Sequence, residues 1–167
     1  LLLTFGKIYS ALSSLKKQAL KTDLWQFLAQ ITVSPVAITA EMLAACPGTE
    51  DIQPGDAVLV GTGWGKHWME PHYLDASPYF TYDAMQYLVE KKPFLLGTDF
   101  PRWESFEHPQ NLFPLFYAGD ILMLAPLVNL ENIPSARVRL TALPLNIPGT
   151  SCIPCRAVIT EDLERTG

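Results

Sequence analysis

Three side chains able to bind a metal ion or move a proton lie within six residues of one another: His67, Glu70 and His72. Imidazole nitrogens and carboxylate oxygens are ligands of zinc and manganese, so a loop that folds inward would bring all three to one ion. The spacing matches no established ligand pattern, and Pro71 interrupts any helix through them. An exposed polar loop is the alternative interpretation, and a general acid or base role for His67 is a third.

The stretch before these residues indicates where such a site would lie. Pro54-Gly55-Asp56 predicts a turn, and the apolar run of residues 57–60 predicts a buried strand. Glycines then alternate with other residues in Gly-Thr-Gly-Trp-Gly, which lets the backbone pass close to another group. Ligands of open α/β sheets bind beyond the carboxyl ends of strands, so Thr62, Trp64 and Trp68 are substrate-binding candidates. A tight turn without chemistry is the alternative.

A second predicted strand ends at the same edge. Helical periodicity over residues 82–91 and an apolar run at 94–97 predict a β-α-β unit, whose right-handed crossover makes the two strands parallel neighbours. Asp99 follows the second strand and is a candidate for catalysis or hydrogen bonding. The alternatives are a capping carboxylate or an ion pair with Arg102. Phe100 and Arg102 are further substrate-binding candidates.

Aromatic side chains are frequent around these two strand ends. Together they would line a pocket for a planar substrate such as an aryl amide. Packing in the core or at an interface is the alternative, because aromatic rings serve that purpose more often. The candidates are Trp64, Trp68, Tyr73, Tyr79, Phe80, Phe100 and Trp103.

Length and composition indicate one compact domain over residues 1–167, with 49% hydrophobic and 17% charged residues. The net charge of -5 argues against a nucleic-acid partner. No apolar run is long enough for a membrane span. Cys46, Cys152 and Cys155 form an odd, sparse set, which favours a reducing cytoplasm.

The other elements complete an α/β prediction. Residues 5–20 have the periodicity of an amphipathic helix, and Thr39 is placed to cap another helix. Residues 121–124 predict a strand. The later apolar runs at 137–147 and 152–159 predict hairpins or a second sheet.

Five segments occur together in an order that resembles the putative cyclase family, which includes bacterial kynurenine formamidases and isatin hydrolase. They are IQPGDAVLVGTGW, SPYFTYDAMQYL, KPFLLGTDFPRW, AGDILMLAPLVNLENIP and LTALPLNIPG with PCRAVI. The resemblance covers residues 38–160, whereas residues 1–37 form a divergent segment predicted to be helical.

The resemblance implies a swivelling β/β/α fold with a mixed sheet and flanking helices. It also implies a divalent metal, zinc or manganese, and hydrolysis of a small amide, lactam or lactone, in the manner of an arylformamidase. A bound metal polarises the carbonyl group and lowers the pKa of a water molecule to produce a nucleophile. Family members commonly form oligomers, so a homo-oligomer is expected.

One family feature is absent from this sequence. The family's His-x-Gly-Thr-His-x-Asp motif supplies most of its metal ligands, but no histidine precedes His67 here. Near the position of a later family histidine lies His108, which is therefore a further candidate ligand. The sequence is consistent with a fragment of a larger enzyme or with a divergent branch. The alternative function is an inactive relative that binds a small aromatic ligand or assembles with a partner.

Overall fold

The computed structural model describes residues 2–6, 35–133 and 136–160. Its strands are β1 (Leu2–Gly6), β2 (Ala37–Ile38), β3 (Ala57–Val60), β4 (Tyr79–Phe80), β5 (Leu95–Thr98), β6 (Leu122–Leu124), β7 (Arg137–Pro144) and β8 (Cys155–Thr160). Its α-helices are α1 (Ala40–Ala44), α2 (Tyr82–Glu90) and α3 (Leu112–Ala118). Two 3₁₀ turns cover Trp64–His67 and Leu130–Asn132.

Six of these strands form one mixed sheet in the order β6-β5-β3-β1-β7-β8. The first four strands pair in parallel, whereas β7 is antiparallel to both β1 and β8. β2 and β4 form a separate parallel pair. The predicted β-α-β unit is confirmed, because β3 and β5 are parallel neighbours connected through α2.

The central strand β3 is buried on both faces of the sheet. Its alternation sends Val58 and Val60 into a core shared with the three α-helices. Ala57 and Leu59 face a second cluster, which includes Val138 from β7. The helices therefore cover one face of the sheet, and the carboxyl ends of β3 and β5 lie side by side.

The predicted starts of two helices are confirmed. The Thr39 hydroxyl accepts a hydrogen bond from the Met42 amide at 3.3 Å, which satisfies a donor that the first turn leaves unpaired. Thr81 occupies the cap position of α2, but its hydroxyl donates to the Ile38 carbonyl at 3.0 Å. Thr81 therefore connects α2 to β2.

Other local predictions need correction. A helix does not begin at Phe5, because Phe5 lies in β1 in register with Leu59. The remainder of the predicted helix, and most of the predicted divergent segment, fall in residues 7–34, outside the described residues. The helix α3 was not predicted. Of the two alternatives predicted for the late apolar runs, the hairpin is confirmed, and it belongs to the main sheet and not to a second one. No helix in the described ranges is long and apolar enough to cross a membrane.

Candidate functional site

Asp99, immediately after β5, holds the glycine-rich turn that follows β3. One carboxylate oxygen accepts hydrogen bonds from the Thr62 amide at 2.9 Å and from the Thr62 hydroxyl at 2.8 Å. The other oxygen accepts from the Gly63 amide at 2.6 Å. Asp99 is completely buried. These contacts are those of a capping carboxylate, which was one of the two structural alternatives for this residue.

The conformation and close packing of the glycine-rich turn require residues without a side chain. Gly63 has a φ of 81°, a left-handed conformation that favours glycine. A Cβ atom at Gly61 would lie 3.1 Å from Cβ of Leu130, and one at Gly65 would lie 3.0 Å from the Leu127 carbonyl oxygen. The close approach predicted from the glycines is therefore made to the 127–130 segment of the same chain.

Burial affects two ionisable groups at this edge. Burial raises the pKa of Asp99, although hydrogen bonds from Thr62 and Gly63 oppose part of the rise. Burial also raises the pKa of Tyr73, with a further contribution from the negative charge of Asp99. Within the described ranges, the buried Tyr73 hydroxyl has no hydrogen-bond partner. Both carboxylate oxygens of Asp99 accept hydrogen bonds from the glycine-rich turn, so the role that this geometry supports is to hold that turn in place.

The structure brings His67, Glu70 and His72 together. His67 Nδ1 lies 2.9 Å from one carboxylate oxygen of Glu70, and His72 Nε2 lies 2.8 Å from the other. The three side chains are 33%, 43% and 44% exposed, respectively. One candidate ligand atom from each residue lies within 4.8 Å of the other two. Two imidazoles and one carboxylate form a donor set that suits zinc.

Trp64 connects this cluster to the turn. Its ring centroid lies 4.8 Å from that of His67, and its ring stacks on Tyr73 with a centroid distance of 6.4 Å. The indole nitrogen donates to the Tyr73 carbonyl oxygen at 3.0 Å. Trp64 also packs against the core. His67 therefore lies beside an aromatic ring, that of Trp64, which is itself held by its contacts with Tyr73 and with the core.

The remaining predicted site residues lie in different surroundings. Trp68 is 60% exposed, whereas Phe100 is fully buried and packs edge-on against Phe80. The Arg102 guanidinium donates to the Ser77 carbonyl and lies over the Phe106 ring, while Asp99 is engaged by the turn. Phe100 and Arg102, both predicted to bind substrate, are therefore buried in the protein interior. Within the described ranges, His108 lies outside the cluster of candidate ligands.

Glu131 was not among the predicted site residues. One of its carboxylate oxygens lies 3.9 Å from Lys66 Nζ, and its other oxygen is buried without a hydrogen-bond partner among the residues that the structure describes. The turn at Trp64–His67 therefore carries a positive side chain toward an acid from the 130–132 turn. The available signal was the position of Glu131 inside the family-like segment ending NLENIP.

Comparison with known proteins gives a consistent family assignment. Residues 12–105, more than half of the chain, match the sequence model of the family described as Putative cyclase. Isatin hydrolase of Roseibium aggregatum is 31% identical over 134 residues, which cover 72% of this chain and 51% of the relative. The family match begins before residue 38, inside the segment that sequence inspection set apart.

Solved structures agree with this assignment. An isatin hydrolase bound to the product analogue thioisatinate is 27% identical with a TM-score of 0.63, covering 79% of this chain and 55% of that one. A predicted metal-dependent hydrolase from Bacillus stearothermophilus is 25% identical with a TM-score of 0.61, covering 74% and 56%. These similarities confirm the predicted cyclase-like α/β fold with a mixed sheet and flanking helices.

The chain spans only part of these relatives, between 51% and 56% of their lengths. The matched part includes the β3-α2-β5 unit, the glycine-rich turn and Asp99. The order of the family-like segments, the family match and the shared fold all agree. The chain belongs to the Putative cyclase family.

Proposed function

We propose that this chain is part of a metal-dependent hydrolase that acts on a small amide, lactam or lactone. Family membership supports hydrolysis, and the names of the structural relatives support a metal and a small substrate. Isatin is an aromatic lactam, so an arylformamidase-like substrate of similar size is the proposed class. The observation that carries the proposal is the His67, Glu70 and His72 cluster beside the carboxyl ends of β3 and β5.

The donor set of this cluster fits a divalent metal ion. His67, Glu70 and His72 would hold it, and zinc or manganese would supply Lewis acidity and a nucleophilic water at neutral pH. The predicted fourth ligand, His108, is not required because a site with three protein ligands keeps a position for water or substrate. The cluster is exposed enough for a small molecule to reach it.

Residues of the chain would orient the substrate around this point. Trp64 offers an aromatic ring near His67, and Trp68 on the same loop is exposed, which suits contact with a planar amide or lactam. Asp99 acts through Thr62 and Gly63, because its hydrogen bonds fix the turn that carries Trp64. Glu70 engages Nδ1 of His67, so Nε2 is the nitrogen available to exchange a proton with water.

Hydrolysis assays test the proposed function. The full chain would be incubated separately with isatin, formanilide and dihydrocoumarin, with added zinc or manganese, while acid release is measured. We expect metal-dependent hydrolysis of at least one substrate and loss of activity after chelation. A folded chain that hydrolyses none of them with either metal would contradict the proposal.

A binding or assembly role without chemistry is the second candidate. Trp68, Met69 and Leu74 are exposed apolar side chains on the loop that carries the cluster. They suit contact with an aromatic ligand or a second copy of the chain. Light scattering would detect the proposed homo-oligomer, and replacing Trp68 with Ser should weaken it if this loop forms the interface.

The unpaired state of all three cysteines supports the proposed cytoplasmic location.

A further inference from the structure

We infer that Arg102 and Phe106, which follow β5, form a binding site for a small aromatic carboxylate. The guanidinium carbon of Arg102 lies 4.4 Å from the centroid of the Phe106 ring. The inference deepens the proposed function and rests on it only for the origin of the ligand. Opening an aromatic lactam or lactone releases a compound that carries both a ring and a carboxylate.

Arg102 is a buried cation with few interactions. Its exposed fraction is only 7%, and its Nη2 atom donates one hydrogen bond of 3.3 Å to the Ser77 carbonyl oxygen. The Nε atom is buried, and no residue that the structure describes accepts a hydrogen bond from it. Among the same residues, no carboxylate forms an ion pair with the guanidinium. Because a buried charge without a counter-charge is unfavourable, this arrangement favours binding of an anion.

The two acids that flank Arg102 in the sequence are engaged by other groups. Asp99 accepts its hydrogen bonds from the glycine-rich turn after β3. Glu104 accepts hydrogen bonds from the amides of Asn111 and Leu112, at the start of α3. Neither acid is therefore placed to neutralise Arg102, so the counter-charge that we assign to it is the carboxylate of a ligand.

The two side chains of the site select different parts of this ligand. The Nε and Nη2 atoms form one edge of the guanidinium, and such an edge donates two parallel hydrogen bonds to a carboxylate. Phe106 is 70% exposed, so its ring is free to turn toward solvent and to stack on the ring of a ligand. An aromatic carboxylate matches both groups, whereas a neutral amide or an aliphatic acid matches only one.

The backbone around Phe106 is held on both sides. The Ser105 hydroxyl oxygen accepts a hydrogen bond from the His108 amide at 3.1 Å. Glu104, just before this turn, accepts from the Leu112 amide at 3.2 Å. Ligand binding therefore requires movement of the Phe106 side chain but no ordering of the backbone, which lowers its entropy cost.

Calorimetric titration of the full chain with benzoate tests the inference. The titration would be done in EDTA, so that no metal ion binds the carboxylate. Benzoate should bind at one site per chain. Benzamide has the same ring without the charge and should bind about 10-fold more weakly or worse, because hydrogen bonds between charged groups are the stronger ones. Acetate has the charge without the ring and should also bind more weakly than benzoate.

Substitutions locate the binding site. Arg102→Met removes the charge but keeps a long side chain, so benzoate binding should weaken by about 10-fold or more. Arg156→Met, at an exposed position in β8, is the matched control and should bind benzoate like the unmodified chain. Arg102→Lys keeps a positive charge without the planar edge and should also bind benzoate more weakly. Phe106→Ala should weaken the binding of benzoate but not that of acetate.

Several results would overturn the inference. It is wrong if benzoate does not bind, if benzamide binds equally well, if folded Arg102 variants retain benzoate, or if Arg156→Met loses it. Circular dichroism would verify that each variant is folded, and the comparison of benzoate with benzamide needs no variant. Benzoate binding without any hydrolysis would contradict the proposed function alone. Metal-dependent hydrolysis by a chain that does not bind benzoate would contradict this inference alone.

Discussion

Two carboxylates near the end of β3 have opposite surroundings. Asp99 is completely buried and accepts hydrogen bonds from two backbone amides and one hydroxyl of the glycine-rich turn. Glu70 has a side chain that is 43% exposed and contacts two imidazole rings. The first carboxylate is surrounded by donors of the backbone turn, whereas the second contacts two partly exposed side chains.

This difference indicates that Asp99 positions the turn, whereas Glu70 is the carboxylate placed to take part in chemistry. A buried carboxylate whose oxygens are occupied by backbone donors contributes to the shape of a turn, and its removal leaves those donors without partners. An exposed carboxylate between two histidines contributes little to folding but offers ligand atoms. Each of the following predictions tests this division, starting with the largest expected effect.

Removing the Asp99 carboxylate should cost the most stability. Asp99→Ala leaves the part-buried Thr62 and Gly63 amides without their hydrogen-bond acceptor, and each donor left unpaired away from water costs about 1–3 kcal/mol. We therefore expect the free energy of unfolding in urea to fall by about 3 kcal/mol or more. Asp75→Ala, at an exposed position on the neighbouring loop, is the control and should change it little. Equal stability of both variants would show that the turn does not depend on Asp99.

Adding a methyl group to the turn should have an intermediate effect. In Gly65→Ala the new Cβ would lie 3.0 Å from the Leu127 carbonyl oxygen and 3.3 Å from Cα of Val128, both backbone atoms. Overpacking of this kind costs about 1–3 kcal/mol, measured by urea unfolding. Gly119→Ala is a comparison glycine, because the nearest neighbour of its new Cβ would be the terminal Cδ1 atom of the Ile121 side chain and not a backbone atom. A larger loss at Gly119 than at Gly65 would contradict the prediction.

The buried charge should also leave a smaller signature in the pH dependence of stability. Because burial raises the pKa of Asp99, the folded state takes up its proton at a higher pH than the unfolded chain, whose reference value is 3.8. The contribution of Asp99 to stability therefore increases as the pH falls from its folded pKa toward 3.8, and decreases as the pH rises through that window. The free energy of unfolding in urea, measured at several pH values, should fall more steeply with rising pH in the unmodified chain than in Asp99→Asn. Parallel pH profiles would mean that burial does not dominate.

Replacing the exposed carboxylate should barely affect folding. Glu70→Gln keeps the shape of the side chain and removes only exposed contacts to His67 and His72, so stability should change by less than about 0.5 kcal/mol. The same variant should lose zinc. A large loss of stability in Glu70→Gln, measured without metal, would show that the cluster serves the fold.

Local sequence signals predicted the central part of the fold. The apolar run of β3 lies between a Pro-Gly-Asp turn and a glycine, and both the cap at Thr39 and the helical periodicity of residues 82–91 were visible in the sequence. The helix α3 was missed because Pro114 suggests a break. Pro114 is the third residue of α3, where the first turn leaves the backbone amide without a helical partner, so proline is tolerated.

The site was harder to predict because its decisive contacts are distant in the sequence. The residues met by Gly61 and Gly65 belong to the 127–130 segment. Phe100 follows β5 like Asp99, but it faces the core, a difference that strand position alone does not reveal. His67 and Glu70 are three residues apart, which is compatible with contact across one helical turn. The position of His72 depended on the path of the loop.

The place of β1 in the sheet has a consequence for biosynthesis. Residues 2–6 lie between β3 and β7, so in the described part of the chain this strand joins the parallel half of the sheet to the antiparallel hairpin. Its partner β7 is translated more than a hundred residues later. Until then, one edge of β1 carries unpaired backbone groups, which are a template for association with other chains. A ribosome paused before β7 would therefore leave this edge of β1 open to association with other chains.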